Sequence, residues 1–261
     1  MPMKYIIDTH LHIYPFYSIS SALDSLINNL QTADSQSIKV GCLTERHDCD
    51  VFNQLAHAPP ADVSDAFSIT SAGNCLHITN KETGGNVYLL PGQQIITSEN
   101  LEILSLNCPE RIKEGDSASQ TIKSVLALGG IPVIAFGFGK WLGKRGAIVE
   151  NLIQEFGPEQ IAMGDTTMRP YGWPTPRAFR KAGEKGLKIL CGSDPLPFKG
   201  EESRPGTYAT LMNLKETHPV EAISGILCTN TTQDSFGKRN NLIEVAVRMQ
   251  NHRKAGKIEG R

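Results

Sequence analysis

Two histidines near the start of the chain have the type and spacing of metal ligands. His10 and His12 follow the apolar residues Ile6 and Ile7, and Asp8 stands two positions before the first of them. Alternate residues of a strand point to the same side, so the two imidazoles project together with the carboxylate. Imidazole nitrogens bind transition metals such as zinc and iron. The spacing therefore predicts a metal site at the end of the first strand, with two unrelated core or surface histidines as the alternative.

Polar residues also follow other predicted strands. The segment Thr44-Glu45-Arg46-His47-Asp48 comes after an apolar run, and Gly192-Ser193-Asp194 comes after the last strong one. In α/β barrels the carboxyl ends of the strands form one mouth, where the chemistry takes place. We therefore predict a metal site of neutral imidazoles and one carboxylate from several strands, namely His10, His12, His47 and Asp194. Such a metal lowers the pKa of a bound water, and Asp194 and His47 are the predicted catalytic groups.

The remaining histidines lack supporting polar neighbours in the sequence. They are predicted to be structural, and they are His57, His77, His218 and His252.

A basic, glycine-rich segment, Gly139-Lys140-Trp141-Leu142-Gly143-Lys144-Arg145-Gly146, lies between a predicted strand and a predicted helix. Backbone N–H groups at a helix N-terminus attract anions, and lysine or arginine adds positive charge. The spacing differs from that of a Walker loop. We predict that this segment and a later arginine bind an anionic substrate through Lys140, Lys144, Arg145 and Arg169. A solvated surface loop is the alternative.

The composition is that of an ordinary soluble protein, with 39% hydrophobic and 20% charged residues in a chain of 261. The formal net charge of -1 gives no global sign of nucleic-acid or membrane binding. No apolar run approaches the roughly 18 residues of a membrane span. We therefore expect a small anionic substrate as the partner, and neither nucleic acid nor membrane. None of the 6 cysteines forms a CxxC pair, which favours a reduced, cytoplasmic protein. The oligomeric state stays open.

Short apolar runs alternate with helical patterns, which is typical of βαβ units and a parallel sheet. The predicted elements include strands over 4–8, 38–43, 131–136, 161–165 and 187–191, a hairpin across Gly84-Gly85, a loop over 57–62 and a helix over 208–217. A parallel α/β barrel fits this alternation best, and an open doubly wound sheet is the alternative. We predict one domain over residues 1–255. The tail over 256–261 is set apart because Ile258-Glu259-Gly260-Arg261 resembles an appended protease-recognition sequence.

Four segments in this order resemble the PHP (polymerase and histidinol phosphatase) family, which is related to the amidohydrolases. They are Asp8-Thr9-His10-Leu11-His12, Leu43-Thr44-Glu45-Arg46-His47-Asp48, Pro91-Gly92-Gln93-Gln94-Ile95-Ile96-Thr97 and Gly192-Ser193-Asp194. The resemblance implies a distorted (β/α)7 barrel of PHP type that binds up to three divalent metals and hydrolyses phosphate esters. It also implies that His10 and His12 form the first metal pair and that Asp194 is the late aspartate ligand.

The chain departs from the family pattern at several ligand positions. Gln94 stands where the family usually has glutamate, Phe136 where it often has histidine, and Leu196 where it has histidine after the late aspartate. Arg46 separates Glu45 from His47, which shifts the second motif by one position, and Glu102 falls near another family histidine. These departures favour one or two divalent ions (Zn, Mn or Fe) rather than three.

The residues and the resemblance together favour a metal-dependent phosphoesterase that acts through a metal-activated water. Two alternatives stay open. One is a mononuclear amide or lactone hydrolase, and the other is a catalytically reduced barrel that binds an anionic metabolite.

Overall fold

The structure is a computed structural model and describes residues 2–33, 36–229 and 231–259, with side chains described as far as residue 256. Its strands are β1 (Met3–Leu11), β2 (Ile38–Glu45), β3 (Phe67–Ala72), β4 (Cys75–Asn80), β5 (Asn86–Ile96), β6 (Glu102–Leu106), β7 (Ile131–Ala135), β8 (Ala162–Thr166), β9 (Ile189–Gly192), β10 (Tyr208–Leu214) and β11 (Gln233–Gly237). Its helices are α1 (Ile19–Gln31), α2 (Val51–His57), α3 (Ala61–Ala66), α4 (Ala118–Ala127), α5 (Gly143–Glu155), α6 (Arg177–Glu184), α7 (Pro219–Ser224) and α8 (Leu242–Glu259). Short 3-10 turns cover Glu201–Ser203 and Ile226–Cys228.

Seven strands form the wall of a nearly closed barrel in the order β1, β2, β5, β6, β7, β8, β9. Neighbours in this wall are parallel except at β6, which runs antiparallel to both β5 and β7. Contacts between β9 and β1 complete the wall, where Thr9 Oγ1 donates to the Cys191 carbonyl at 3.0 Å. The fold class predicted from the sequence, a distorted (β/α)7 barrel, is confirmed.

The barrel interior is packed by apolar side chains, as in other α/β barrels. One buried cluster takes a residue from each wall strand, namely Ile7, Val40, Leu90, Leu104, Val133, Ala162 and Leu190. The other face of the wall packs against helices. α1 buries Leu23 and Leu26 there, and Ser18 caps its first turn by accepting from the Ser21 amide. Because six wall strands run the same way, their carboxyl ends share one mouth, and the amino end of the reversed β6 joins them there.

The sequence-based element prediction fails in three places. The helix predicted over 208–217 is the strand β10, which pairs antiparallel with β1 from Ile7↔Thr210 to Met3↔Leu214. Its Ala, Leu and Met residues favour helix, but pairing at the barrel seam decides the outcome. The loop predicted over 57–62 covers the end of α2 and the start of α3. β6 breaks the expected all-parallel order.

The predicted hairpin across Gly84-Gly85 is confirmed, since β4 pairs antiparallel with the first half of β5. β5 then continues without a break to Ile96 and includes Gln94. The predicted tail over 256–261 begins within α8, and its last two residues, 260 and 261, lie outside the described residues. Among the helices of the described chain, none has the length and apolar character that a membrane crossing requires.

Candidate metal centre

Three groups from distant parts of the chain meet at the barrel mouth. His10 lies in β1, His12 follows its end, and Asp194 follows β9. The His10 and His12 Nε2 atoms are 3.0 Å apart, and Asp194 Oδ1 lies 3.7 Å and 3.9 Å from them. In the described part of the chain, these three residues form the group of histidine, cysteine and carboxylate side chains whose ligand atoms lie within 4.8 Å of one another.

Gln94 completes this cluster from β5. Its Oε1 lies 3.0 Å from His10 Nε2 and 3.2 Å from His12 Nε2. The family resemblance marks this residue as the replacement of a glutamate ligand, yet its amide oxygen lies beside both imidazole nitrogens. The signal that could have shown it is its place on the strand β5, directly beside β2 in the wall.

The spacing of these atoms fits one ion. Tetrahedral ligands at about 2.0–2.1 Å from zinc are separated by about 3.3 Å, and the five separations above run from 3.0 to 3.9 Å. A cation placed between these four atoms would accept a lone pair from each of them. The pKa of His12 is lowered well below its usual value by burial first and by the His10 charge second, which keeps its imidazole neutral and able to bind metal.

Asp194 has an unusual backbone conformation. Its φ of 50° lies in the left-handed region, which few non-glycine residues adopt. Its amide donates to the His10 carbonyl at 2.8 Å, which ties it to β1. Burial raises the pKa of its carboxyl, with the Glu102 charge acting in the same direction and His10 opposing it. A cation at this point would offset that burial.

Asp8 lies on the other side of the same junction and does not belong to the cluster. Its carboxylate accepts from the Ser193 amide at 2.9 Å, from the Gly206 amide at 2.9 Å and from the Ser193 hydroxyl. Gly192 has to be glycine here, because a Cβ would clash with the backbone and Cβ of His10. The motif residues Asp8, Gly192 and Ser193 therefore build the junction that presents Asp194 to the histidines.

A cavity of about 340 Å³ opens above the cluster and is lined by His12, Gln94 and Asp194. Lys140 and Arg46 add positive charge to its wall, and Glu102 and Glu114 add negative charge. Lys140 Nζ lies 2.6 Å from Glu102 Oε1, and both side chains are largely buried. The apolar side of the cavity is formed by Tyr14, Ile96, Phe136, Phe138, Met168, Leu196, Pro197 and Met249. The arrangement suits an anion held against a metal beside an apolar group.

The cavity contains two residues that sequence reasoning missed. Arg46, noted only as an interruption of a motif, is 34% exposed and lies 3.2 Å from Asp48 Oδ2 through its Nη2. His252, predicted to be structural, also lines the cavity, from helix α8.

His47 lines the cavity but lies outside the ligand cluster. Its side chain is 61% exposed, and its Nδ1 is 3.5 Å from Glu114 Oε2. The one-residue offset introduced by Arg46 places it at the rim. Its predicted role as a metal ligand therefore finds no support in the cluster, whereas a role at the rim stays a prediction.

The predicted anion-binding residues separate into two groups. Lys140 lines the cavity, whereas Lys144 and Arg145 stand in the first turn of α5 and do not line it. Arg169 faces a second cavity of about 350 Å³, where its Nε and Nη2 donate to Asp165 Oδ1 and Oδ2 at 2.7 and 2.6 Å. Of these four cations, only Lys140 lines the cavity above the histidine cluster.

No known protein-family model and no characterised protein sequence matches the chain. Its fold is similar to the crystal structure of PsfC from Pseudomonas syringae PB-5123, with a TM-score of 0.63 and 13% identity over 97% of this chain and 99% of that one. The lesion-specific endonuclease PfuEndoQ from Pyrococcus furiosus matches with a TM-score of 0.47 and 12% identity, over 88% of this chain and 58% of that one. These likenesses concern the fold alone.

A structure of Endonuclease Q in complex with a 27-mer duplex carrying an abasic lesion at its active site matches 95% of this chain and 67% of that one, with a TM-score of 0.48 and 10% identity. The expectation that nucleic acid is not a partner was wrong as an exclusion, because this structural neighbour is described in complex with a duplex substrate. The physical reason is that net charge describes the whole surface, whereas binding depends on the local charge at the mouth.

Proposed function

We propose that the chain is a metal-dependent phosphoester hydrolase of PHP type with a reduced centre of one divalent ion. The observation that carries the proposal is the convergence of His10, His12, Gln94 and Asp194 from three separate strand ends on one point. Mixed imidazole and oxygen donors suit zinc, iron or manganese. A single ion accounts for the departures at Phe136 and Leu196, which remove ligands for further ions.

A divalent ion bound here supplies Lewis acidity and a water of lowered pKa. The chain's own residues supply the rest. Lys140 and Arg46 hold the phosphoryl group through its free oxygens, and the apolar wall receives the organic part of the ester. The Asp194 carboxylate orients the attacking water and accepts its proton.

The reaction balances with water as the only co-reactant. The water oxygen forms a bond to phosphorus, and the P–O bond to the alcohol breaks. One proton of the water passes to Asp194 and then to solvent, and the departing alkoxide takes a proton from the His47 ring at the rim, which solvent replaces. His47 keeps its predicted catalytic role in this scheme as a proton donor rather than as a metal ligand.

Binding of an anion without turnover is the second candidate function. Gln94 is a neutral ligand in place of a carboxylate, and Phe136 and Leu196 cannot ligate metal. These three residues weaken a centre that must activate water but leave Lys140 and Arg46 in the cavity wall. Restoring glutamate, histidine and histidine at these positions tests this candidate directly, because it should create turnover where none exists.

The experiment is a turnover panel on the purified full chain with and without added Zn²⁺, Mn²⁺ or Fe²⁺. The substrates are a phosphomonoester, a phosphodiester, an amide, a lactone and a duplex DNA with an abasic site. We expect metal-stimulated hydrolysis of a phosphoester that His10→Ala abolishes and His57→Ala, on the exposed end of α2, leaves unchanged. Anion binding without turnover supports the second candidate, and cleavage of only the amide or lactone contradicts both.

A further inference from the structure

One arginine on the last helix is buried beneath the metal centre. Arg248 of α8 is 3% exposed, and it lies 54 residues beyond Asp194 in the sequence. Its Nη2 donates to the Asp194 carbonyl at 2.9 Å, and its Nη1 donates to Thr167 Oγ1 at 2.8 Å. Its Nε lies 2.9 and 3.1 Å from the two carboxylate oxygens of the buried Glu201, to which Nη2 also donates. The guanidinium therefore has an acceptor on every nitrogen.

Glu201 and Thr167, the partners of Arg248, also form hydrogen bonds to the backbone on either side of Asp194. Glu201 Oε2 accepts from the Leu196 amide at 2.9 Å. Thr167 Oγ1 donates to the Ser193 carbonyl at 2.6 Å. One buried ion pair thus fixes the backbone on both sides of Asp194 as well as Asp194 itself.

Asp194 needs such support because of its backbone. A left-handed φ is sparsely populated for a residue with a Cβ, and it persists only where the surroundings determine it. A relaxed φ would rotate the side chain away from His10 and His12, whose Nε2 atoms lie 3.7 and 3.9 Å from Asp194 Oδ1.

We propose that Arg248 is a positioning residue of the metal centre, and that helix α8 is therefore part of the site. Its guanidinium holds Asp194 in the conformation that presents the carboxylate to the histidines. The same helix lines the cavity through Met249 and His252, so the hydrogen bonds of Arg248 also fix one cavity wall. This inference rests on the metal centre of the proposed function.

A purely structural ion pair is the competing explanation, and it predicts a different result. Loss of a structural pair destabilises the whole domain, whereas loss of a positioning residue acts on the segment around Asp194 and on the bound metal. Residues outside a ligand that orient it change metal affinity by about 10–100-fold when removed.

The test compares full-length wild-type protein with Arg248→Lys, Arg248→Met and the double variant Arg248→Met with Glu201→Gln. The double variant removes both charges of the pair, so it folds without a buried unpaired carboxylate. Arg253→Met, which changes an exposed arginine five residues further along α8, is the matched control. Zinc affinity is measured by calorimetry, and amide hydrogen exchange of the metal-free proteins is measured by mass spectrometry.

We expect at least tenfold weaker zinc binding in Arg248→Met and in the double variant, and a smaller loss in Arg248→Lys. Exchange should accelerate in the peptide around Asp194, while a peptide from β2 keeps its wild-type rate. Arg253→Met should match wild type in both measurements. Wild-type zinc affinity in the double variant overturns the inference, and so does wild-type exchange around Asp194 in that variant. Uniformly faster exchange in every peptide overturns it as well, because it identifies a structural pair.

The two failures can be told apart. If the wild-type protein binds no zinc, the proposed metal centre fails and the inference falls with it. If the wild-type protein binds zinc and the Arg248 variants bind it equally well, only the inference fails.

Discussion

Two aspartates end neighbouring strands at the barrel mouth, and their surroundings are opposite. Asp165 of β8 is saturated within the chain, since Arg169 donates to both of its oxygens and the Tyr208 hydroxyl donates to Oδ2 at 3.0 Å. Asp194 after β9 faces two imidazoles and an amide oxygen, with no arginine or lysine of the described residues paired to its carboxylate. The two residues line different cavities, Asp165 beside Arg169 and Asp194 beside the histidines. What separates them is whether the chain supplies its own cation, and only the second position leaves room for a metal.

The largest expected effect comes from breaking the ion pair between Asp165 and Arg169. Asp165→Asn leaves Arg169, which is 11% exposed, without its carboxylate, and loss of one partner of a buried pair costs about 3 kcal/mol. We expect that decrease in the free energy of unfolding by urea denaturation, together with unchanged zinc affinity. A loss of zinc binding without a loss of stability would reverse the roles assigned to the two aspartates.

The next effect is on the metal centre itself. His10→Ala removes one imidazole from the cluster and is expected to weaken zinc binding by at least about 100-fold, more than loss of an orienting residue does. Equilibrium dialysis against zinc measures it, with His57→Ala as the control. If His10→Ala retains wild-type affinity, the cluster is not the metal site.

The third effect separates the basic residues of the glycine-rich segment. Lys140 lines the cavity and Lys144 does not. A charge-assisted hydrogen bond contributes about 1.5–3 kcal/mol, so Lys140→Met should weaken competitive inhibition by inorganic phosphate about tenfold or more. Lys144→Met, an equal charge change on the same segment, should leave the inhibition constant unchanged. Equal losses in both variants would indicate a diffuse surface effect rather than a built site.

The smallest effect is a pH dependence of the metal-free protein. The pKa of His12 is lowered in the folded state, so below pH 6.5 the unfolded chain binds a proton that the folded chain does not. Stability is therefore expected to fall as the pH drops below 6.5, by at most about 1.4 kcal/mol per pH unit from this group. His12→Gln should reduce that slope, and His57→Gln should not. An unchanged slope in His12→Gln would show that its ring is not buried as the structure places it.

The sequence predicts the barrel and much of the centre because both depend on local patterns. Buried strands such as β1 and β2 contain short apolar runs, and the polar residues that follow those runs show where the mouth must be. His10, His12 and Asp194 follow such runs, and the barrel brings them together. The resemblance to a known family adds the order of these segments, which no single motif contains.

The sequence could not predict what long-range pairing decides. Strand β10 has helix-forming residues and becomes a strand only because β1 offers it a partner. Gln94 looks like a lost ligand until β5 places its amide oxygen between the two imidazoles. Arg169 looks like a free cation until Asp165, four residues earlier, accepts from its Nε and Nη2. In each case the residue type is visible in the sequence and its partner is not.

The most direct test is anomalous diffraction from crystals grown with zinc and measured on both sides of the zinc absorption edge. The expected result is a single peak bonded to His10 Nε2, His12 Nε2, Gln94 Oε1 and Asp194 Oδ1, at about 2.0–2.2 Å from each ligand atom. Crystals that diffract well and contain no peak at these atoms, or a peak at Asp165 instead, would contradict the account.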